Sequence, residues 1–551
     1  MFKLFRKYGI FLFVPGIVLG YSILLKLAAG PYWLATNFDP AYQYLVNGMR
    51  LVKGMVPNHT DHPGTPLQML CATVCWLFNI GRSVTDTATH VFISPEFYLH
   101  AIFVVLSLFS FITSVGLAVY VFQKTKDGLA AVLTQLPALS FLVLKSWETS
   151  EPILPVTANV FPETMLIGIV NLFNFCFLKR YFSGTSKRGY SSTILWGFVC
   201  GLGVAVKITF IPLLAIPLII LSWKNRFLFI AVFIASFVVW TVPILSVYPV
   251  LWEWIVRILT HTGNLGYGDS GIIEKHQYFS SWINIIDGQK VYAGLLLAVL
   301  ILCFWKLARK KWQWDTTCLL AAMLGVFFQF AIVAKNPGTH YLLPGLGLFS
   351  ALLVLLYLQG PFHHKWGHRI VLTFVLVFIF VGTWQANEYR LRLAALTQDI
   401  LTFHEHVHAK YKGFNFVGFY RSSGQETALS FGDQYSGSWE ELFKLYPDSY
   451  IFHRWNIRMR NFKGRVISND VLARYPGVLL EGDGDYDFSP TPYTVRLLEK
   501  GRLESVFLLT NSTEKQSIML HLAAQYFSHS GDYLKALQFE SQAKVLHYPT
   551  P

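Results

Sequence analysis

The chain has 551 residues, of which 53% are hydrophobic, 16% aromatic and only 14% charged, and its mean hydropathy is +0.43. That balance excludes a disordered chain, a collagen-like repeat, a coiled coil and an ordinary cytosolic enzyme, each of which needs more charge, a strict repeat or fewer long apolar runs. The net charge of +14 would suggest nucleic acid as a partner in a soluble protein, but Lys and Arg here gather in short segments between apolar runs, where they set topology.

The first seven residues, MFKLFRK, precede an apolar stretch that is longer than a signal-peptide core and lacks a small-residue cleavage site, so it reads as a retained span. Apolar runs of spanning length lie near 8–29, 99–123, 128–146, 160–178, 193–209, 210–223, 226–247, 291–306, 316–334, 341–359 and 369–387. The expected fold is therefore an all-α polytopic membrane domain over 1–390 with about 11 transmembrane helices. The basic clusters Lys3/Arg6/Lys7, Lys124/Lys126, Lys179/Arg180/Lys187/Arg188, Lys224/Arg226, Lys306/Arg309/Lys310/Lys311 and Lys365/Arg369 then all fall on one side, the cytoplasm. Counting the segment 66–80 as a further span would break that parity, so it is predicted to be a re-entrant or interfacial helix. The runs 193–209 and 210–223 meet at Lys207 and Pro212 and are predicted to turn at the outer surface.

With the amino terminus inside, the loops 30–98 and 248–290 and everything after about residue 388 lie outside. The segment 391–551 changes to mixed polar sequence with Gly, Pro and Ser turns and reads as a small extracytoplasmic α/β domain. Its last portion shows helical periodicity broken at Ser530-Gly531-Asp532, a helical hairpin. All six cysteines sit in apolar segments, with no disulfide framework or zinc ribbon.

The densest chemical signal is in the first outer loop. Asp39 precedes Pro40, a residue that can open a helix, so its carboxylate is expected at a helix N-terminus. Tyr42, Tyr44 and Leu45 then pattern an amphipathic interfacial helix, and the turn Asp61-His62-Pro63-Gly64 leads back to the membrane. Tyr42, Asp61 and His62 are candidates for positioning substrate. Further along, Glu163 starts a span with Glu148 and Glu151 nearby, and Lys207 interrupts an apolar run, where a lysine either snorkels or meets an anion.

An aspartate opening an amphipathic helix after the first span, followed by an HP turn and another apolar helix, resembles the GT-C superfamily of membrane glycosyltransferases. The likeness is closest to the branch of protein mannosyltransferases and aminoarabinose transferases and spans roughly 1–390. That family often has two successive acids at the first motif, whereas Asp39 is followed by Pro40. The resemblance implies a polyprenyl-phosphate-linked sugar donor, Asp39 as general base and Glu163 as a second acid. It also implies a donor-phosphate site built from Lys207, which ends the Gly-rich segment GFVCGLGVAVK, and from Lys335, His340 and Tyr341 in AKNPGTHYLLP, with Arg257 from the loop WEWIVRILTHTGNLGYGDSG. No cofactor is required in this reading, although Asp39 with Glu163 leaves a divalent metal open. The expected partners are the donor, a lipid, glycan or protein acceptor and the bilayer, with no nucleic acid, and the expected location is a bacterial inner membrane.

Rival readings are a secondary transporter or lipid flippase, and an inactive scaffold of GT-C type. His404-Glu405-His406-Val407-His408 matches the zinc pattern HExxH formally, without a third-ligand motif after it. Asn58 and Asn511 begin N-glycosylation triplets, and the run EGDGDYD lacks the spacing of a calcium loop.

Overall fold

A computed structural model describes residues 8–34, 39–60, 63–144, 155–184, 190–263, 266, 268–363 and 365–410, then 415–418, 425–437, 439–446, 451–454, 458–461, 478–483, 494–497 and 504–509. Among these residues eight helices are long and apolar enough to cross a membrane: Gly9–Ala29, Pro95–Thr125, Pro162–Ser183, Trp223–Thr260, Lys290–Ala308, Trp314–Lys335, Thr339–Gln359 and Lys365–Gln398. The chain is an integral membrane protein with an all-α polytopic core.

Four shorter apolar helices, Thr65–Leu77, Gly128–Ser140, Tyr190–Val206 and Ile208–Ile220, accompany them. Three of these replace spans expected from composition, at 128–146, 193–209 and 210–223, because local breakers cut the helices short. Pro137 starts a new turn after Leu136. Lys207 takes an extended conformation between Val206 and a 3-10 turn that contains Pro212. The segment expected to be re-entrant forms the helix Thr65–Leu77, whose 13 residues fall short of the roughly 20 a perpendicular crossing needs.

The residues divide into two compact units. The first comprises Met1–Ala28, Gly54–Val74 and Leu99–Leu393. Its centre is the helix Thr339–Gln359, 83% buried, whereas Lys365–Gln398 is only 17% buried and turns most of its apolar surface outward. Polar side chains inside the bundle are spent on backbone, as burial demands. Asn174 Nδ2 donates to Gly347 O at 2.9 Å, and Gln135 Nε2 donates to Phe11 O at 2.8 Å. Close approach of helices is set by glycine: a Cβ on Gly347 would stand 2.6 Å from Val170 Cγ1.

The second unit comprises Ala29–Lys53, Cys75–Tyr98 and Ala394–Pro551. Helix Ala41–Val52 buries every residue from Ala41 to Met49. It packs on the helix Gln425–Gln434 so closely that a Cβ on Gly432 would stand 2.7 Å from Tyr42 O. Arg50 reaches Ser436 O, and Lys53 pairs with Glu441 at 2.9 Å while lying 4.4 Å above the Trp439 ring. Phe92 meets the same ring edge-on. Among the described residues six strands, β1 (Asn415–Gly418), β2 (Ile451–Arg454), β3 (Arg458–Asn461), β4 (Val478–Asp483), β5 (Thr494–Leu497) and β6 (Glu504–Leu509), form one sheet in the order β3-β2-β1-β4-β6-β5. β1 runs parallel to β2 and β4, and the outer pairs are antiparallel. The helical hairpin expected near 530 and the side chains of His404 to His408 lie outside the described residues.

Candidate functional site

Within the first unit, three separate parts of the chain deliver polar groups to one point. Glu163 comes from the first turn of helix Pro162–Ser183, one residue after Pro162. The N-cap position belongs to Phe161, whose extended backbone leads into Pro162. The loop before it is pinned by Thr164, whose hydroxyl reaches Asn159 O at 2.8 Å and also Val156 O, so the helix start cannot drift.

Lys207 arrives from the break between two short helices. Its backbone pairs with Pro63 in an isolated antiparallel bridge, which lays the residue after His62 alongside it. The side chain, 5% exposed, points inward and its ammonium contacts the Glu163 carboxylate, 4% exposed. A lysine buried in an apolar run needs an anion, and here the anion is the chain's own glutamate. The same ammonium lies 4.5 Å from the centre of the Tyr341 ring, the cation–π arrangement a desolvated cation favours.

His340 and Tyr341 come from the 3-10 turn Thr339–Leu342 that starts the central helix. Gly338 is needed there, since a Cβ would stand 2.7 Å from Tyr341 Cδ2. Gln329 holds the turn by donating from Nε2 to Tyr341 O at 2.7 Å. His340 Nε2 stands 3.8 Å from Glu163 Oε1, and its side chain is 32% exposed; Tyr341 is half-buried as well, whereas Glu163 and Lys207 are buried. Glu163, Lys207, His340 and Tyr341 thus converge: one carboxylate, one ammonium, one imidazole and one phenol at the N-terminal ends of two helices, where backbone N–H groups and the helix dipole favour anions.

Lys335 and Arg257 form a different grouping. Lys335 Nζ donates to Leu259 O at 2.9 Å, capping the end of helix Tyr248–Thr260 as basic groups do at C-termini. Arg257 is in the last turn of that helix. Gly266, at φ +74°, folds the Gly-rich segment over it: a Cβ there would stand 2.7 Å from Arg257 O.

Asp39 and Tyr42 belong to the second unit. Helix Ala41–Val52 begins one residue later than the sequence pattern indicates, because Pro40 is the cap and its carbonyl accepts from Tyr44 N at 3.0 Å. Asp39 is half-buried just ahead of that cap. Tyr42 is wholly buried and its hydroxyl donates to Glu96 Oε1 at 2.9 Å, which makes it a packing residue of its unit. Burial first, and the Glu96 charge second, push its phenol well above the usual tyrosine range. Asp61, His62, Glu148 and Glu151 lie outside the described residues.

Pattern reading did not single out Glu96, Thr164 or Gln329, and it named Pro63 only as part of a turn. Glu96 carried the same signal as Glu163, an acid in the first turn of a long apolar helix. Thr164 and Gln329 were legible only as uncharged polar residues inside apolar runs. Among the described residues no three His, Cys, Asp or Glu side chains lie together as metal ligands.

No family model and no curated protein sequence matches the chain. Among solved structures the chain is similar to the crystal structure of ArnT from Cupriavidus metallidurans bound to undecaprenyl phosphate, with 12% identity and a TM-score of 0.42 over 89% of this chain and 97% of that one.

Proposed function

We propose that the protein is a membrane glycosyltransferase that moves a sugar from a polyprenyl-phosphate donor to an acceptor hydroxyl on the extracytoplasmic side, inverting the anomeric carbon. The observation that carries this reading is the convergence of Glu163, Lys207, His340 and Tyr341. A departing phosphate gains negative charge as the sugar leaves, and a buried ammonium with an imidazole and a phenol beside it at helix N-termini is suited to that charge. The GT-C resemblance of the first loop and of AKNPGTHYLLP points to the same chemistry.

In the transfer, the acceptor oxygen forms a bond to the anomeric carbon while the bond from that carbon to the phosphate oxygen breaks. The acceptor proton passes to a general base, for which Asp39 is the candidate that the GT-C resemblance supplies, and polyprenyl phosphate leaves with both electrons of the broken bond. Lys207 turns from Glu163 toward the phosphate, with His340 and Tyr341 donating hydrogen bonds. Glu163 then acts as the resting partner that keeps Lys207 charged and aimed. The Glu163 carboxylate is engaged by Lys207. No step is routed through a metal.

One observation favours the rival transport reading: a buried ion pair beside a helix broken at Lys207 is also how transporters build ion sites. Deletion of the gene, followed by rescue with wild type, Asp39→Asn or Lys207→Gln, separates the two. A transferase predicts that both variants, made at normal levels, accumulate a lipid-linked sugar while one glycan decoration disappears, read by mass spectrometry of lipids and surface glycans. Unchanged glycans and lipid-linked sugars in the deletion strain would reject the transferase.

A further inference from the structure

A cavity of about 390 Å³ lies away from the Glu163 cluster, and none of that cluster's four residues lines it. Its long wall is one face of the most outward-turned helix, Lys365–Gln398: Phe374, Phe378, Val381 and Gln385 all line it. The spacing of three to four residues keeps them in one row, and the row runs roughly 16 Å at 1.5 Å per residue. Along that row the character changes from aromatic to amide. The opposite wall carries Asp287 and Lys290, at the junction where the helix Lys275–Gly288 ends and the span Lys290–Ala308 begins. Tyr292 donates to Ser140 Oγ at 2.7 Å, so those two hydroxyl groups are already engaged.

The polar ends of both walls lie on the same side of the bundle. Consecutive spans joined by short connections must alternate in direction, and Lys290 starts one span while Gln385 lies where the third span after it meets polar sequence, Asn387 and Glu388. The cavity is therefore amphipathic along the membrane normal: polar where two spans meet the interface, apolar deeper. Both spans are largely uncovered by protein, 22% and 17% buried, so the surrounding medium is lipid.

At the mouth, Lys290 Nζ and Asp287 Oδ1 are 2.8 Å apart and their side chains are 73% and 70% exposed. Adjacent opposite charges that remain open to a ligand match a headgroup that itself carries adjacent opposite charges. We propose that this cavity binds one zwitterionic phospholipid of the phosphatidylethanolamine type, its phosphate on Lys290, its ammonium on Asp287 and one acyl chain along Phe378 and Phe374. The site is independent of the transferase reading.

The test uses the full chain in detergent, titrated with phosphatidylethanolamine, phosphatidylglycerol or undecaprenyl phosphate and read by native mass spectrometry. Phosphatidylethanolamine is expected to be retained best, and Asp287→Asn/Lys290→Gln to weaken its retention about fivefold, the scale of two exposed charge contacts. Val381→Trp, which fills the groove, is expected to abolish it. Equal retention of phosphatidylglycerol overturns the headgroup assignment, and displacement by undecaprenyl phosphate reassigns the cavity to a polyprenyl tail. Undiminished retention in the double variant overturns the site. Both substituted side chains are exposed, so this variant folds even where Val381→Trp does not.

Discussion

Lys207 and Glu163, from different helices, hold each other's charge with side chains 5% and 4% exposed. Taking both charges out of water is costly, and their attraction offsets the cost only while both are present. Lys207→Met should therefore destabilise the protein by about 3–5 kcal/mol, whereas Glu163→Gln/Lys207→Met should cost less than the sum of the single changes. Thermal unfolding of the four proteins in detergent gives the coupling; additive effects would mean that the two groups do not interact.

Lys335 is half-buried and bonded to Leu259 O. Lys335→Gln is expected to cost less than about 1 kcal/mol and to leave transfer within a few-fold of wild type. Lys207→Gln, by contrast, should lower the turnover rate about 100-fold or more, as loss of a preorganised charge contact does. Initial rates with a synthetic lipid-phosphate sugar would rank the two lysines, and a reversed ranking would move the phosphate site to the end of helix Tyr248–Thr260.

In the second unit, Tyr42→Phe removes the bond to Glu96 and should cost about 1.5–3 kcal/mol, the range for a hydrogen bond to a charged group. The Tyr42 phenol is raised in the folded state. Its contribution is therefore complete below the ordinary tyrosine value of about 10 and fades as pH climbs toward the raised folded value, because only the unfolded chain ionises in that window. Denaturant titrations of wild type and variant should differ by a constant amount up to about pH 9 and converge above about pH 10.

Gly347→Ala places a methyl group 2.6 Å from Val170 Cγ1, between the central helix and helix Pro162–Ser183. A backbone shift there also disturbs the bond from Asn174 to Gly347 O. The expected cost is about 1–3 kcal/mol, visible as a lowered melting temperature. An unchanged melting temperature would show that the two helices separate without penalty.

Most of the helical framework was legible because burial in lipid needs long apolar runs, and residues 95–125, 162–183, 314–335 and 339–359 answer to that rule. The breaks were harder. Lys207 was visible as an odd charge, but its inward turn depends on Glu163, 44 residues away, which no local pattern encodes. Similarly, the stripe of Tyr42, Tyr44 and Leu45 fits a helix lying on lipid as well as one packed on protein. Only the positions of Tyr435, Ser436 and Glu441 decide for packing. Pro63 reached Lys207 through backbone pairing, an interaction with no side-chain signature.

The second unit is sewn from the beginning and the end of the chain, with Asn47 donating to Tyr435 O across 388 residues. During synthesis at ~5–20 residues per second, the helix at 41–52 waits roughly 20–80 s for the segment that covers it. Seven of the eight long spans are made in that interval. The bundle is therefore made before this unit closes, and a chain arrested before residue 425 leaves the part of helix Ala41–Val52 that residues 432–441 cover open to chaperones and proteases. Assembly of this protein ends where its sequence began.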